Sequence, residues 1–179
     1  LLILIGALLA QVKIYAFIIL CLALILKRHL RLAIAIGLVG LVLLLPSLSF
    51  NGSPFVFSPF WFTRSLFEAH DRVIWPKMAA AWQVYETVGA YKKLLLVNFI
   101  GLIVFIVGNL GVRIIGLIDI LFRQSESKSE HLAKLIVLIG LVIPLLFIQR
   151  VNPWNTIQFI YYSLFFLGIF TAKQVSAWF

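Results

Sequence analysis

The side chains best placed to do chemistry lie at residues 149–162, QRVNPWNTIQFIYY, between apolar runs at 135–148 and 157–172. Arg150, Asn152, Trp154, Asn155 and Gln158 crowd the mouth of an apolar helix there. A turn alone needs only a short polar linker, so this density of hydrogen-bonding groups reads as the wall of a site. Arg150 offers a bidentate fork to a phosphate or carboxylate, and Trp154 offers a stacking face. Asn155 and Gln158 add neutral hydrogen-bonding groups beside the guanidinium.

Further cations join this set. Lys13, Arg64, Arg72 and Lys77 could converge near Glu68, Asp71 and Asn152. A basic pocket beside an apolar helix suits a lipid-linked phosphate, with acyl or prenyl tails lying along nearby Phe residues. The plainer alternative is that each cation is an anchor or half of an ion pair. The substrate-binding candidates are therefore Lys13, Arg64, Arg150, Trp154, Asn155 and Gln158.

Other groups read as structural. His29 and His131 fall in short polar turns, and His70 adjoins Asp71, a spacing at which helical side chains do not face each other. Asn109, Arg113 and Gly116 share a helix face at i, i+4 and i+7, which fits helix packing with Arg113 as an interfacial anchor. Asp119 is expected beyond the apolar core, in solvent. The single cysteine, Cys21, sits among Leu and Ile and reads as packing. No Walker loop, GxGxxG, GxSxG or metal-type Cys/His spacing occurs, so no cofactor is visible in the sequence.

The elements that must position these groups are apolar helices. Hydrophobic residues make up 63% of the chain, charged residues 12%, and mean hydropathy is +1.11, far from ordinary globular usage. The expected class is all-α: a polytopic transmembrane bundle whose outer loop carries interfacial helices. The net charge of +9 comes from Lys and Arg at helix ends, which suits lipid headgroups and not nucleic acid.

Along the chain, the run 3–26 is interrupted by Gln11 and Lys13. It is either one helix with a buried Lys or two half-helices turning at 11–13. A basic turn at 27–31 leads to a helix at 32–45. Residues 51–91 form the long aromatic connection. Within it Ser65-Leu-Phe-Glu68 fits a capping box, and Pro76 fits a first helical position. Met78, Trp82, Tyr85 and Gly89 fall on one face of the helix after it. Residues 94–122 read as one helix, 123–134 as a solvent loop, and two further helices follow, with Pro144 bending the first. The basic turn and the loop 123–134 should share the cytoplasmic side. The aromatic connection and the Asn-Pro-Trp-Asn turn should meet outside, joined by Lys13 if it marks a half-helix turn.

The tail LLFIQRVNPWNTIQFIYYSLFFLGIFTA resembles the late external loop and helix of bacterial membrane glycosyltransferases of the GT-C superfamily. Trp154, Asn155, Gln158 and Tyr161 or Tyr162 stand at the matching positions. ILIGALLAQVKIYAFIILCLALIL, with Gly6, Lys13 and Tyr15, is similar to a half-helix of those enzymes. The likeness covers about a third of the chain. It implies sugar transfer outside the cell from a polyprenyl-phosphate-linked donor, in a multi-pass protein of the bacterial plasma membrane. It also implies a catalytic Asp in an early external loop, often with a divalent metal. Residues 1–179 show no such loop, so they are expected to be a single module of a longer protein, with the acid upstream. The competing reading is a transporter or flippase module with Lys13 and Asn109 in a central pathway. A third is an assembly subunit with no chemistry.

Overall fold

A computed structural model describes residues 1–45, 55–69, 73–150 and 152–178. Expectations placed on residues 46, 51–54, 70, 71 and 72 fall outside that set. The order is α1 (Leu2–Val12), α2 (Ile14–Leu26), α3 (Leu30–Leu44), β1 (Phe55–Phe57), α4 (Trp61–Glu68), α5 (Pro76–Thr87) and α6 (Tyr91–Leu110). A 3-10 turn (Gly111–Arg113), α7 (Ile114–Phe122), α8 (Lys128–Leu146), β2 (Phe147–Gln149), a second 3-10 turn (Pro153–Ile157) and α9 (Gln158–Ser176) follow. Among the described residues the architecture is all-α apart from two three-residue strands, and three helical stretches are long and apolar enough to cross a membrane: Tyr91–Phe122, Lys128–Leu146 and Trp154–Ser176.

Of the two readings of the first apolar run, the half-helix one is what is seen. Lys13 alone is extended (φ −154°, ψ 97°), yet both helix ends stay satisfied. Its N–H donates to Leu9 at 2.8 Å and its carbonyl accepts from Phe17 at 3.2 Å. The side contacts give the direction. Gly6 lies against Ile36, Ala10 lies beside Gly40, and Gln11 donates to the Leu43 carbonyl, so α1 runs parallel to α3. Phe17 packs on Gly40 across the turn at 27–29, so α2 runs antiparallel to α3. The chain therefore reverses at Lys13. At 1.5 Å per residue, none of these three helices exceeds about 23 Å, short of a bilayer core of about 30 Å. Gly and Ala at the contacts let the backbones close up, as helices do where water drives nothing together.

The long helices run alternately. Phe105 and Ile160 share one cluster, Gly116 meets Leu167 and Thr171, and Asp119 meets Gln174, so α6–α7 and α9 are parallel. Gly140 faces Phe159 and Ser163, and Ser163 Oγ donates to Val137 at 2.8 Å, so α8 is antiparallel to both. The stretch expected as one helix from 94 to 122 breaks at Gly111 (φ 52°, ψ −131°), a conformation that glycine adopts far more readily than other residues.

The short helices differ from expectation in one respect and match it in another. Ser65 caps nothing: α4 begins four residues earlier, after Phe60 in the left-handed region, and Glu68 pairs with Arg64 instead. Pro76 does open α5, and Met78, Trp82 and Tyr85 pack on the cluster around Phe62 and Phe105. Gly89 lies beyond the helix in a turn (φ 66°). Pro144 stands two residues before the end of α8, and its carbonyl accepts Trp61 Nε1 at 2.9 Å.

Candidate functional site

Two polar ends result. At one, β1 pairs antiparallel with β2, Phe55 opposite Gln149, which ties the aromatic connection to the Asn-Pro-Trp-Asn turn. Trp61 and Trp154 stack edge to face with ring centres 4.9 Å apart. Tyr15 Oη donates to Gln149 Oε1 at 3.0 Å, so the reversal at Lys13 comes to the same end, called here the tryptophan end. At the other, Lys27 donates to the Lys128 carbonyl, so the basic turn and the loop after α7 share a side, the lysine end.

The tryptophan end is built by short-range devices. Asn152 accepts the Trp154 N–H at 3.2 Å and caps the 3-10 turn, an Asx cap that fixes where the indole points. Buried Thr156 accepts the Gln149 N–H at 2.9 Å, closing the turn on the strand. Trp154 then lines a cleft of about 370 Å³ with Leu66, Val104, Phe105, Asn109 and Ile157. Asn109 donates to the Phe105 carbonyl at 2.7 Å, which leaves its own carbonyl oxygen available as an acceptor.

The six sequence candidates divide. Trp154 alone among them lines this cleft. Lys13 and Arg150 are exposed at the same end, and neither has an ion-pair partner among the described residues. Asn155 and Gln158 are half-buried, in the turn and at the first position of α9. Arg64 is committed elsewhere: its Nε lies 3.1 Å from Glu68 and its guanidinium 5.3 Å over the Trp82 ring. The convergence of Arg64 with Arg72 and Asp71 lies outside the described residues. Among the described residues no group of three or more His, Cys, Asp or Glu is placed to hold a metal ion.

Sequence reasoning missed two polar centres. Asn98 Oδ1 accepts Trp82 Nε1 at 3.0 Å and lies 2.7 Å from Thr63 Oγ1, joining α4 and α5 to α6. Thr63 is fully buried and also lies 2.7 Å from the Phe60 carbonyl, so its one proton serves either acceptor. An Asn five residues inside an apolar run was the available signal.

The second centre is at the lysine end and corrects the placing of Asp119. Far from being solvated, its side chain is 1% exposed, held between α7 and α9 by Gln174 Nε2 on Oδ1. The helix face decides this: Asp119 lies on the side of α7 that packs on α9, as Gly116 does about one turn earlier. Around it runs a chain of charges. Arg123 lies 3.9 Å from Asp119 and 2.6 Å from Glu126, and Lys173 lies 2.9 Å from Glu126 and 3.6 Å from Glu130. Lys134, buried, donates to the Arg123 carbonyl at 2.7 Å. The Lys173 ammonium, with help from Arg123, holds the Glu126 carboxyl below its ordinary range. Ser127 caps α8 by accepting the Glu130 N–H at 3.1 Å, the Ser-x-x-Glu signal that the sequence does carry.

Set against protein-family models, curated proteins and solved structures, the chain matches none of them.

Proposed function

We propose that the chain is a multi-pass module of a bacterial plasma-membrane glycosyltransferase that uses a polyprenyl-phosphate-linked sugar, with the tryptophan end facing outward. It supplies the lipid-phosphate side of the site. The observation that carries this reading is the Tyr15–Gln149 hydrogen bond, which brings two uncommitted cations, Lys13 and Arg150, to the end where Trp154 lines a cleft. Transfer from a phosphate leaving group needs its developing charge stabilised, and Arg150 with Lys13 can do this. The cleft's apolar wall of Leu66, Val104 and Ile157 suits an isoprenoid, and the Trp154 face suits a sugar. Arg64, already paired with Glu68, is left as a positioning residue of the α4–α5 wall.

In the full-length enzyme, Arg150→Ala is expected to lower turnover of a polyprenyl-phosphate donor by at least tenfold, with thermal stability unchanged. Arg150→Lys should restore part of it, because a point charge replaces a bidentate fork. Unchanged turnover removes Arg150 from the mechanism.

A transporter or flippase is the second reading, and the break at Gly111 favours it. Discontinuous helices are how transporters build substrate sites, and Asn109 and Arg113 flank this one. Lys13 does not fit a central pathway, since it caps a reversal at the tryptophan end. A flux assay in proteoliposomes separates the two: movement of the lipid-linked anion with no acceptor present favours transport.

A further inference from the structure

The lysine end contains a cavity that the proposed chemistry does not use. It measures about 440 Å³ and lies between α7 and α9, with Asp119 at its floor and Arg123, Gln174, Ile118, Phe122 and Trp178 around it. Asp119 Oδ1 is taken by Gln174, but Oδ2, also buried, has no hydrogen-bond partner among the described residues. Such an atom calls for a donor. The wall is apolar and open to the helix surroundings: Ile118 is 53%, Phe122 84% and Trp178 64% exposed.

We propose that this cavity binds the headgroup of a phospholipid carrying a primary ammonium, the ammonium on Asp119 Oδ2 and the phosphate on Arg123. Four observations select that chemistry. A carboxylate and a guanidinium 3.9 Å apart match a zwitterion with both charges on one short headgroup. The unpartnered oxygen needs N–H, which a primary ammonium has and a quaternary one lacks. Arg123 keeps guanidinium donors beyond those on Asp119 and Glu126. Phe122 and Trp178 supply aromatic faces, which attract cations. Oδ2 is itself buried, and turning the carboxylate about its last torsion, a broad and soft one, presents it to the cavity. Gln174, on the neighbouring turn of α9, follows or releases that rotation. The lipid tails would then lie over Ile118, along the surface of α7. The inference assumes the membrane setting but not the glycosyl-transfer chemistry at the opposite end.

The test is native mass spectrometry of the full chain released from detergent, with dioleoyl phosphatidylethanolamine or dioleoyl phosphatidylcholine as probe. Retention of the ethanolamine lipid is expected to exceed that of the choline lipid by about tenfold. Asp119→Asn keeps an oxygen for Gln174 but replaces the free acceptor by a donor, and should bring the ratio to about one. Ile118→Trp fills the cavity from outside and leaves the Asp119–Gln174–Arg123 contacts alone. It should remove the preference with thermal stability unchanged, so the test stands even where Asp119→Asn fails to fold. Equal retention of the two lipids by the unaltered chain overturns the proposal. So does a preference that survives Ile118→Trp, which places the lipid elsewhere, or one that survives a folded Asp119→Asn, which removes the carboxylate from recognition.

Discussion

Replacing Gly140 with valine is expected to destabilise the bundle by about 3 kcal/mol, the upper part of the usual range for overpacking a tight contact. A Cβ at Gly140 would stand 2.4 Å from Ser163 Oγ and 2.8 Å from the Phe159 carbonyl oxygen. The serine hydroxyl can turn away, but only by leaving the Val137 carbonyl, to which it donates. The Phe159 carbonyl belongs to the backbone of α9 and cannot move without moving that helix. Relief must therefore come from separating α8 and α9, the pair that carries the Ile139–Phe159 and Val137–Leu167 contacts of two core clusters. For a chain of this size the loss corresponds to a fall of roughly 6–12 °C in the melting midpoint. Thermal unfolding in detergent checks it, with Gly37→Val as the control, since a Cβ there meets nothing within 4 Å. Equal midpoints for the two variants would mean that α8 and α9 do not approach as described.

Asn98→Leu should cost about 2 kcal/mol by a different route, since it leaves the half-buried Trp82 indole N–H without an acceptor. Leucine keeps the branched outline and heavy-atom count of asparagine, with bulkier methyl groups in place of O and NH2, so the group removed is the hydrogen-bond acceptor. Trp82 Nε1 loses its acceptor outright. Thr63, fully buried, retains only the Phe60 carbonyl, within its own turn, and so no longer ties α4 to α6. Gly101 would keep its close contact with Thr63 and Phe67, so α4 is loosened and not expelled. The readout is trypsin cleavage after Arg64 and Lys77, on α4 and α5, which should accelerate together while cleavage after Arg123 stays constant. Unaltered cleavage at both sites would show that the apolar contacts alone hold these helices.

What the sequence disclosed follows from which signals are local. Pro76 opened α5 because proline's fixed φ suits a first turn whatever surrounds it. The break at Lys13 was legible as one of two options, since a cation in an apolar run needs either a partner or an exit. The meeting of the Asn-Pro-Trp-Asn turn with the aromatic connection was reachable by counting crossings. That count took 32–45 as a full crossing, whereas α3 has 15 residues; the two segments meet through the β1–β2 pairing and the Trp61–Trp154 contact.

The misses are tertiary. Gly101, Gly108, Gly111 and Gly116 look alike in the sequence. Yet Gly101 and Gly116 are pressed against neighbours, Gly108 faces open space, and Gly111 alone adopts positive φ. Which face of α7 meets α9 is likewise a tertiary fact, and it sets the burial of Asp119. The Ser65–Glu68 spacing misled for a related reason: the same pattern caps a helix or merely falls inside one. Ser127–Glu130 is the instance that caps, because a polar loop precedes it. Of the six candidate residues, Trp154 is placed in a cleft by local capping, whereas the position of Arg64 depends on Trp82 and Glu68, one of them on a separate helix.

The reversal at Lys13 carries this residue to the same end as Arg150, and the proposed site depends on it. Substituted-cysteine labelling in sealed, oriented vesicles tests it most directly, in a Cys21→Ser background that removes the single native thiol. Lys13→Cys and Arg150→Cys are expected to react with a membrane-impermeant maleimide from one face. Lys27→Cys and Lys128→Cys should react only from the other. A Lys13→Cys that is protected from both faces, or labelled from the Lys27 face, would contradict the reversal and with it the site.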